Sequence, residues 1–382
     1  MVQELNLWLI GGGLVIGLLF GAVAQRSRFC VLAAVSNWVL MRDLRQAHAY
    51  LAAVAVAVVG TATLELTGLV PIAETGFRSG RIDWFGALAG GTLFGFGAVL
   101  AGGCAGRLLV RSAEGSLGAV VALVAAGIGG AACAYGVLEP VRVQLHNVFA
   151  VGPASGDASI ATFLGLSHGW AAALFATACV LAIIATVRRG ASIGLLLAGV
   201  VVGALVVGGW WISGSLAQDP FEGTVRPVSM TFVGPLAQTT QLVTTGEQRG
   251  SGFHLALILG VLGGAVVSAL VRRQFRWVGI RPGELVRAVV GGGFVGVGAV
   301  FAGGCNIGQG LTGMSTLSIS ALLAVIGIGT GMRIGLVWLM RAESTQSTLG
   351  PRLTKFVQQL RRPFAGTSAS LPESTKVVGC CN

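Results

Sequence analysis

The chain has 382 residues, of which 54% are hydrophobic and 10% are charged, and its mean hydropathy is +0.82. This composition excludes an ordinary soluble domain and indicates that lipid surrounds most of the chain. The net charge of +11 comes from basic residues in short loops between apolar runs and in the C-terminal tail, a distribution that reports membrane topology and does not predict nucleic-acid binding.

Nine apolar runs follow one another along the chain, and each is long enough to cross a hydrocarbon core of roughly 30 Å as a helix. The first has no Lys or Arg before it, so we interpret it as a retained span and not as a cleaved signal peptide. The sequence therefore predicts an all-α polytopic membrane protein. The predicted spans are residues 7–25, 49–71, 83–103, 115–139, 168–187, 191–213, 252–271, 286–304 and 314–340.

Two further segments, residues 29–41 and 228–246, are apolar but too short and too polar to span the membrane. We expect them to form re-entrant half-helices, since irregular backbone is tolerated at membrane depth where protein surrounds it. The chain also contains 61 glycines, many of them inside the spans, and this predicts that the helices approach one another closely.

Clusters of arginine mark the loops that are expected to face the cytoplasm. They follow the first span, fill the turn between the fifth and sixth spans, and precede the eighth span. Alternating nine spans through these loops puts the N-terminus in the periplasm and the C-terminus in the cytoplasm. The arginines concerned are Arg26, Arg28, Arg42, Arg45, Arg188, Arg189, Arg272, Arg273, Arg276 and Arg281.

An internal repeat is visible in the sequence. GGTLFGFGAVLAGGC at 90–104 matches GGGFVGVGAVFAGGC at 291–305 in ten of fifteen positions, with an offset of 201 residues. The equivalent loops, 72–82 and 272–285, are predicted to lie on opposite sides of the membrane, so the repeat is inverted. Transporters with inverted repeats bind substrate near the bilayer midplane, where the two halves meet. The predicted division is a first repeat at 1–139, an outer loop and linking span at 140–190, a second repeat at 191–340, and a disordered or weakly helical cytoplasmic tail at 341–382.

The repeat singles out two of the seven cysteines. Cys104 and Cys305 are equivalent, and each follows two glycines that give the backbone room to turn. An inverted twofold arrangement would bring them close to its axis and to each other, so we predict that they line a substrate path together with Cys30, which lies in the first re-entrant segment. The alternative is that they are ordinary buried small hydrophobic residues, which is the interpretation we favour for Cys133 and Cys179.

The remaining polar features are less specific. No CxxC motif or regular cysteine spacing predicts a metal site or a disulfide framework, and Cys380 and Cys381 are either a redox pair or incidental thiols of the tail. Glu65 is either an intramembrane acid or an interfacial residue near Pro71. Four polar residues after Cys305 either bind the substrate or cap the interrupted helix: Asn306, Gln309, Thr312 and Ser315.

Three motifs together resemble the YeeE/YedE family of bacterial inner-membrane proteins: SRFC at 27–30, AGGCAGRLLVRSAEGS at 101–116 and AGGCNIGQGLTGMSTLS at 302–318. The resemblance implies nine spans plus half-helices in an hourglass arrangement, and uptake of thiosulfate or of a related sulfur or selenium species. It also implies a relay of three thiols, which carries over to Cys30, Cys104 and Cys305.

The resemblance leaves the exact substrate open. Arg107 is a possible supporting residue of the substrate path, like the polar residues after Cys305. Together with the AEG that follows it, Arg107 is closer to the YedE-like branch, which is associated with selenium metabolism. A small cytosolic TusA-like sulfur carrier is an implied partner. No cofactor, metal ion or catalytic residue is predicted, and the absence of a GxxxxGK[ST] motif favours secondary or channel-like transport. The alternatives are a membrane sulfurtransferase that uses the same thiols covalently and a structural subunit whose thiols are inert.

Overall fold

The computed structural model describes residues 2–78, 80–152, 156–187, 192–215, 226–246 and 252–360. Helices dominate this part of the chain, with one two-stranded antiparallel sheet of β1 (Ile82–Asp83) and β2 (Ala150–Val151). The α-helices are α1 (Val2–Ser27), α2 (Val31–Met41), α3 (Arg45–Leu66), α4 (Gly91–Ala101), α5 (Ala105–Ala113), α6 (Leu117–Ala134), α7 (Glu139–Phe149), α8 (Ile160–Phe163), α9 (His168–Val187), α10 (Ile193–Ser215), α11 (Val233–Thr245), α12 (Gly252–Val271), α13 (Pro282–Phe301) and α14 (Ile319–Leu360). Two π-helices, Gly86–Gly90 and Gly308–Gly313, and a 3₁₀ turn at Ile72–Glu74 complete the list of helices.

Nine stretches of these described residues are helices that are long and apolar enough to cross a membrane. Each overlaps one of the nine predicted spans, and together they confirm an all-α polytopic membrane protein. The span that begins with the π-helix Gly86–Gly90 is the most enclosed, with 72% of its most apolar window buried. Helix α9 is the least enclosed, with 22% buried. The predicted re-entrant segments 29–41 and 228–246 contain the short helices α2 and α11.

Some helices begin or end at other residues than predicted, because hydrogen bonds and backbone conformation at the helix ends determine their limits. The second span was predicted at 49–71, but α3 begins at Arg45, whose backbone N–H donates to the Asp43 carboxylate at 2.9 Å. It ends at Leu66 because Gly68 takes a left-handed φ of 68°, a conformation that glycine adopts without strain. Hydropathy alone does not register such caps.

Helix packing follows the repeat. Helix α1 packs on α12 and α3 packs on α10, while α4 and α13 pack on each other. Helix α6 packs on α13, and α4 in turn contacts residues 324–331 of α14. We match α1 with α10, α3 with α12, α4 with α13 and α6 with α14. Under this matching the α1–α12 contact corresponds to the α10–α3 contact, and the α6–α13 contact corresponds to the α14–α4 contact. The α4–α13 contact corresponds to itself.

Glycines allow the close approach. A Cβ built on Gly17 or Gly21 of α1 would overlap the backbone of α12, and one on Gly260 or Gly264 would overlap the backbone of α1. Small residues at such crossings let helices gain van der Waals contact in lipid, where no hydrophobic force joins them. The described backbone divides into two units, one that ends at Gly335 and one that begins at Leu336. The second unit continues α14 to Leu360, so the part of the predicted tail at 341–360 is helical. Cys380 and Cys381 lie outside the described residues.

A buried ion cluster holds the connection between α3 and β1. Arg78 is 4% exposed and forms salt bridges with Glu65 at the end of α3 and with Asp157 before α8. Burial alone would raise the pKa of Asp157, but hydrogen bonds from Arg78 and Thr162 and the charge of Arg78 lower this pKa to about 2. Glu65 is therefore the ion-pair partner of an arginine at the end of its helix.

Candidate functional site

Each of the three predicted path cysteines lies directly before a short helix. Cys30 precedes α2, Cys104 precedes α5, and Cys305 precedes the helical residues 306–315, which contain the second π-helix. All three side chains are buried, with exposures of 8%, 5% and 1%. The start of a helix carries unpaired N–H groups and a partial positive charge, so each thiol is placed where an anion is stabilised.

The two GGC motifs form equivalent turns. Helix α4 ends at Ala101 and Gly102 has a φ of 73°, while α13 ends at Phe301 and Gly303 has a φ of 71°. These glycines are 201 residues apart, like the cysteines, and we call such positions repeat-matched. A left-handed residue ends the long helix and reverses the chain, and the short helix after the cysteine then starts in a new direction.

The thiols lie together. Cys30 and Cys104 are close enough for each thiol to influence the ionisation of the other, and Cys104 is close enough to Cys305 for their charges to interact. The Cys305 sulfur accepts the backbone N–H of Gly308 at 3.4 Å, and the Cys104 sulfur lies near the backbone N–H of Arg107. The three residues thus form one buried cluster. Their role in moving a substrate stays a prediction.

Two hydroxyl groups of the cluster were missed by the sequence analysis. Tyr50 of α3 donates to the Gly310 carbonyl at 2.8 Å and interacts electrostatically with both Cys104 and Cys305. Thr231, just before α11, lies 3.9 Å from the Cys305 sulfur. The sequence does contain a feature that could have identified each residue. Tyr50 is one of only two tyrosines and lies at the start of an apolar span, and Thr231 is repeat-matched to Cys30.

The predicted supporting residues after Cys305 are all buried and take different roles. Thr312 donates to the Met230 carbonyl at 2.7 Å, and Ser315 accepts from the indole N–H of Trp210 at 3.0 Å, so both hold neighbouring segments together. Asn306 and Gln309 are 2% and 4% exposed. In the described part of the chain, the Asn306 Nδ2 and Gln309 Oε1 atoms have no hydrogen-bond partner, so they are free to bind a polar group.

Arg107 brings a positive charge to the cluster. Its charge acts on Cys30, and its Nη1 atom is buried without a hydrogen-bond partner among the described residues. A buried guanidinium nitrogen that lacks a partner is costly unless an acceptor is available, and an anion would supply one.

Two other cysteines, Cys133 and Cys179, lie buried in α6 and α9. No group of three or more His, Cys, Asp or Glu side chains within the described ranges could hold a metal ion.

The chain is similar to several known transport proteins. The family described as sulphur transport matches residues 26–334. A protein named thiosulfate transporter TsuA from Escherichia coli (strain K12) is 28% identical over 84% of this chain and 93% of its own length. Another of that name, from Spirochaeta thermophila, is 30% identical over 83% of this chain and 95% of its own. A protein named probable transporter YedE, from E. coli, is 29% identical over 31% of this chain and 27% of its own.

Proposed function

The chain belongs to the sulphur transport family, and on this premise we propose that it takes up thiosulfate across the bacterial inner membrane along a path lined by Cys30, Cys104 and Cys305. The observation that carries the proposal is the single buried cluster of three thiols, each at the start of a short helix. Two relatives that match most of the chain are named thiosulfate transporters, and this favours thiosulfate over the selenium species of the YedE-like branch.

The chemistry of the cluster suits a sulfur-rich anion. A neutral thiol has a weak S–H donor that can bond a sulfane sulfur, whereas a thiolate would repel the anion. The proposed relay passes thiosulfate from one thiol to the next through S–H···S contacts. The helix starts and the Arg107 charge near Cys30 offset part of the lost hydration of the anion.

The proposed architecture is an inverted repeat of 1–139 and 191–340 that is joined through 140–190, with the N-terminus in the periplasm and the C-terminus in the cytoplasm. The exchange of helix contacts between the halves and the repeat-matched turns at Gly102 and Gly303 support it. In this arrangement the cysteine cluster lies between the halves, where inverted-repeat transporters bind substrate. A TusA-like carrier would collect the sulfur at the cytoplasmic face.

Growth of a sulfur-auxotrophic bacterium with thiosulfate as its sulfur source tests the proposal, together with uptake of ³⁵S-thiosulfate. We expect the wild-type chain to restore growth, and the triple variant Cys30→Ala, Cys104→Ala, Cys305→Ala to abolish it at an equal membrane level. Cys179→Ala is the matched control and should transport normally. Rescue by the triple variant would refute the thiol path. Supplying sulfite or selenium compounds to the same strains measures the specificity.

A covalent sulfurtransferase is the second candidate, because Cys30 and Cys104 are neighbouring buried thiols. In that reaction the Cys104 thiolate would attack the sulfane sulfur, release sulfite and retain a persulfide, which a second thiol could then receive. Mass spectrometry of the protein during turnover distinguishes the two mechanisms. Conduction leaves Cys104 and Cys305 unmodified, whereas the covalent route leaves a persulfide or mixed disulfide on one of them.

A further inference from the structure

The second half of the chain contains a counterpart to Cys30. Adding the repeat offset of 201 to Cys30 gives Thr231. Cys30 lies directly before α2, and Thr231 lies two residues before the first residue of α11. Cys30 interacts with Cys104, and Thr231 contacts Cys305, which is the repeat-matched cysteine. The cluster therefore consists of two equivalent pairs, of which one has two thiols and the other has a thiol and a hydroxyl.

A third repeat-matched position strengthens the correspondence. Arg107 acts on Cys30, and its counterpart Gly308 lies against Thr231. A Cβ at Gly308 would lie only 2.7 Å from the Thr231 Oγ1 atom. The glycine thus leaves room for the hydroxyl beside Cys305, while the equivalent place in the first half holds a cation beside Cys30.

The Thr231 hydroxyl differs from its neighbours in what it binds. Ser229 donates to the Val206 carbonyl and Thr312 to the Met230 carbonyl, each at 2.7 Å. Among the described residues, the hydrogen-bonding contact of Thr231 is the Cys305 sulfur at 3.9 Å. Sulfur is a weak acceptor, so the hydroxyl proton remains available to a better one. The Thr231 side chain is also only partly buried, unlike Cys305.

We propose that Thr231 is a substrate-contacting residue of the second half, whose hydroxyl donates a hydrogen bond to an oxygen atom of the anion while Cys305 faces the sulfur. The inference rests on the proposed function and deepens it. Thiosulfate has a sulfane sulfur at one end and three oxygens at the other, and its two negative charges are shared between the two ends. A thiol matches the first, and a hydroxyl, which is the stronger donor, matches the second. Thr231 would thereby favour anions that have a sulfane sulfur at one end and oxygen atoms at the other.

Uptake kinetics of ³⁵S-thiosulfate in cells that express Thr231→Val, Thr231→Ala and Thr231→Ser test the inference. Valine and alanine remove the donor, and we expect them to raise KM about tenfold, because a hydrogen bond to a charged group is lost. The maximal rate per molecule in the membrane should change much less. Serine keeps the hydroxyl and should restore the wild-type KM, which a merely structural role of the threonine methyl group would not predict.

Thr239→Val is the matched control. It makes the same substitution on α11, but its hydroxyl donates to the Pro235 carbonyl at 2.8 Å, and its KM should stay at the wild-type value. If Thr231→Val fails to reach the membrane, the comparison of Ala with Ser decides. A wild-type KM in the alanine or valine variant overturns the inference while the proposed function stands. If the wild-type chain itself takes up no thiosulfate, the proposed function fails first.

Discussion

The hydroxyl of Tyr50 donates a hydrogen bond to the carbonyl oxygen of Gly310 across 2.8 Å, and this joins α3 to the π-helix that follows Cys305. π-Helices are rare, and they occur often at functional sites. Tyr50 also lies near both Cys104 and Cys305. One side chain therefore links α3 to both repeat-matched thiols.

Removing this hydroxyl should impair transport and leave the fold intact. We expect Tyr50→Phe to lose about 1 kcal/mol of stability, as is typical of one hydrogen bond, and to lower ³⁵S-thiosulfate uptake several-fold because the π-helix is no longer held. The other tyrosine of the chain gives the control, Tyr135→Phe, at the end of α6. Equal uptake by the two variants would show that the Tyr50 bond is not needed.

The proximity of the Cys30 and Cys104 thiols predicts that mild oxidation blocks the path. Treating membranes with copper phenanthroline should join these thiols as a disulfide and stop uptake, and dithiothreitol should restore it. The Cys30→Ser variant cannot form this disulfide, so the oxidant should not lower its uptake. Peptide mapping identifies the bond. Loss of uptake in Cys30→Ser to the same extent as in the wild type would mean that another thiol is the target.

Arg107 is expected to attract the anion to the Cys30 side of the cluster. Arg107→Gln removes the charge and should raise the KM for thiosulfate about tenfold, whereas Arg107→Lys should have a smaller effect because it keeps the charge but not the planar donor fork. Arg45→Gln is the comparison, since Arg45 forms an exposed pair with Asp43. Identical KM values for the Gln and Lys variants would argue against a role for the charge.

The cluster of Arg78 and Asp157 predicts a pH-dependent stability. The folded pKa of Asp157 is about 2, below the usual 3.8, so its contribution is present above about pH 4 and is lost as pH falls through about 2. Asp157→Asn should therefore be less stable than the wild type by about 2 kcal/mol at neutral pH, and the difference should vanish at low pH.

Thermal unfolding in detergent micelles at a series of pH values measures this difference. Asp43→Asn is the control, because an exposed ion pair contributes only about 0.5 kcal/mol. A stability gap between wild type and Asp157→Asn that persisted unchanged at pH 2 would show that the carboxylate charge is not its source.

The sequence determines the spans because twenty apolar residues in lipid have few alternatives to a helix. All nine were predicted, but the first and third extend further than predicted, to Met41 and Ala113. It also picks out Cys104 and Cys305, since a repeat preserves equivalent positions. It does not predict Tyr50, because the partner Gly310 is 260 residues away and no local pattern joins them. Thr231 could have been predicted by adding the repeat offset to Cys30. A threonine is a different residue type from a cysteine, however, so only the contact with Cys305 identifies Thr231 as the counterpart of Cys30.

The low enclosure of α9 acquires a meaning in the proposed arrangement. Each half has four spans, and an even number returns the chain to the side from which it entered. A second half joined directly to the first would then have the same orientation and would be related to it by an axis along the membrane normal. One additional crossing changes the parity and turns the second copy over. Helix α9 can provide this crossing without being enclosed by other helices. Its sequence therefore has to be compatible with lipid more than with neighbouring helices.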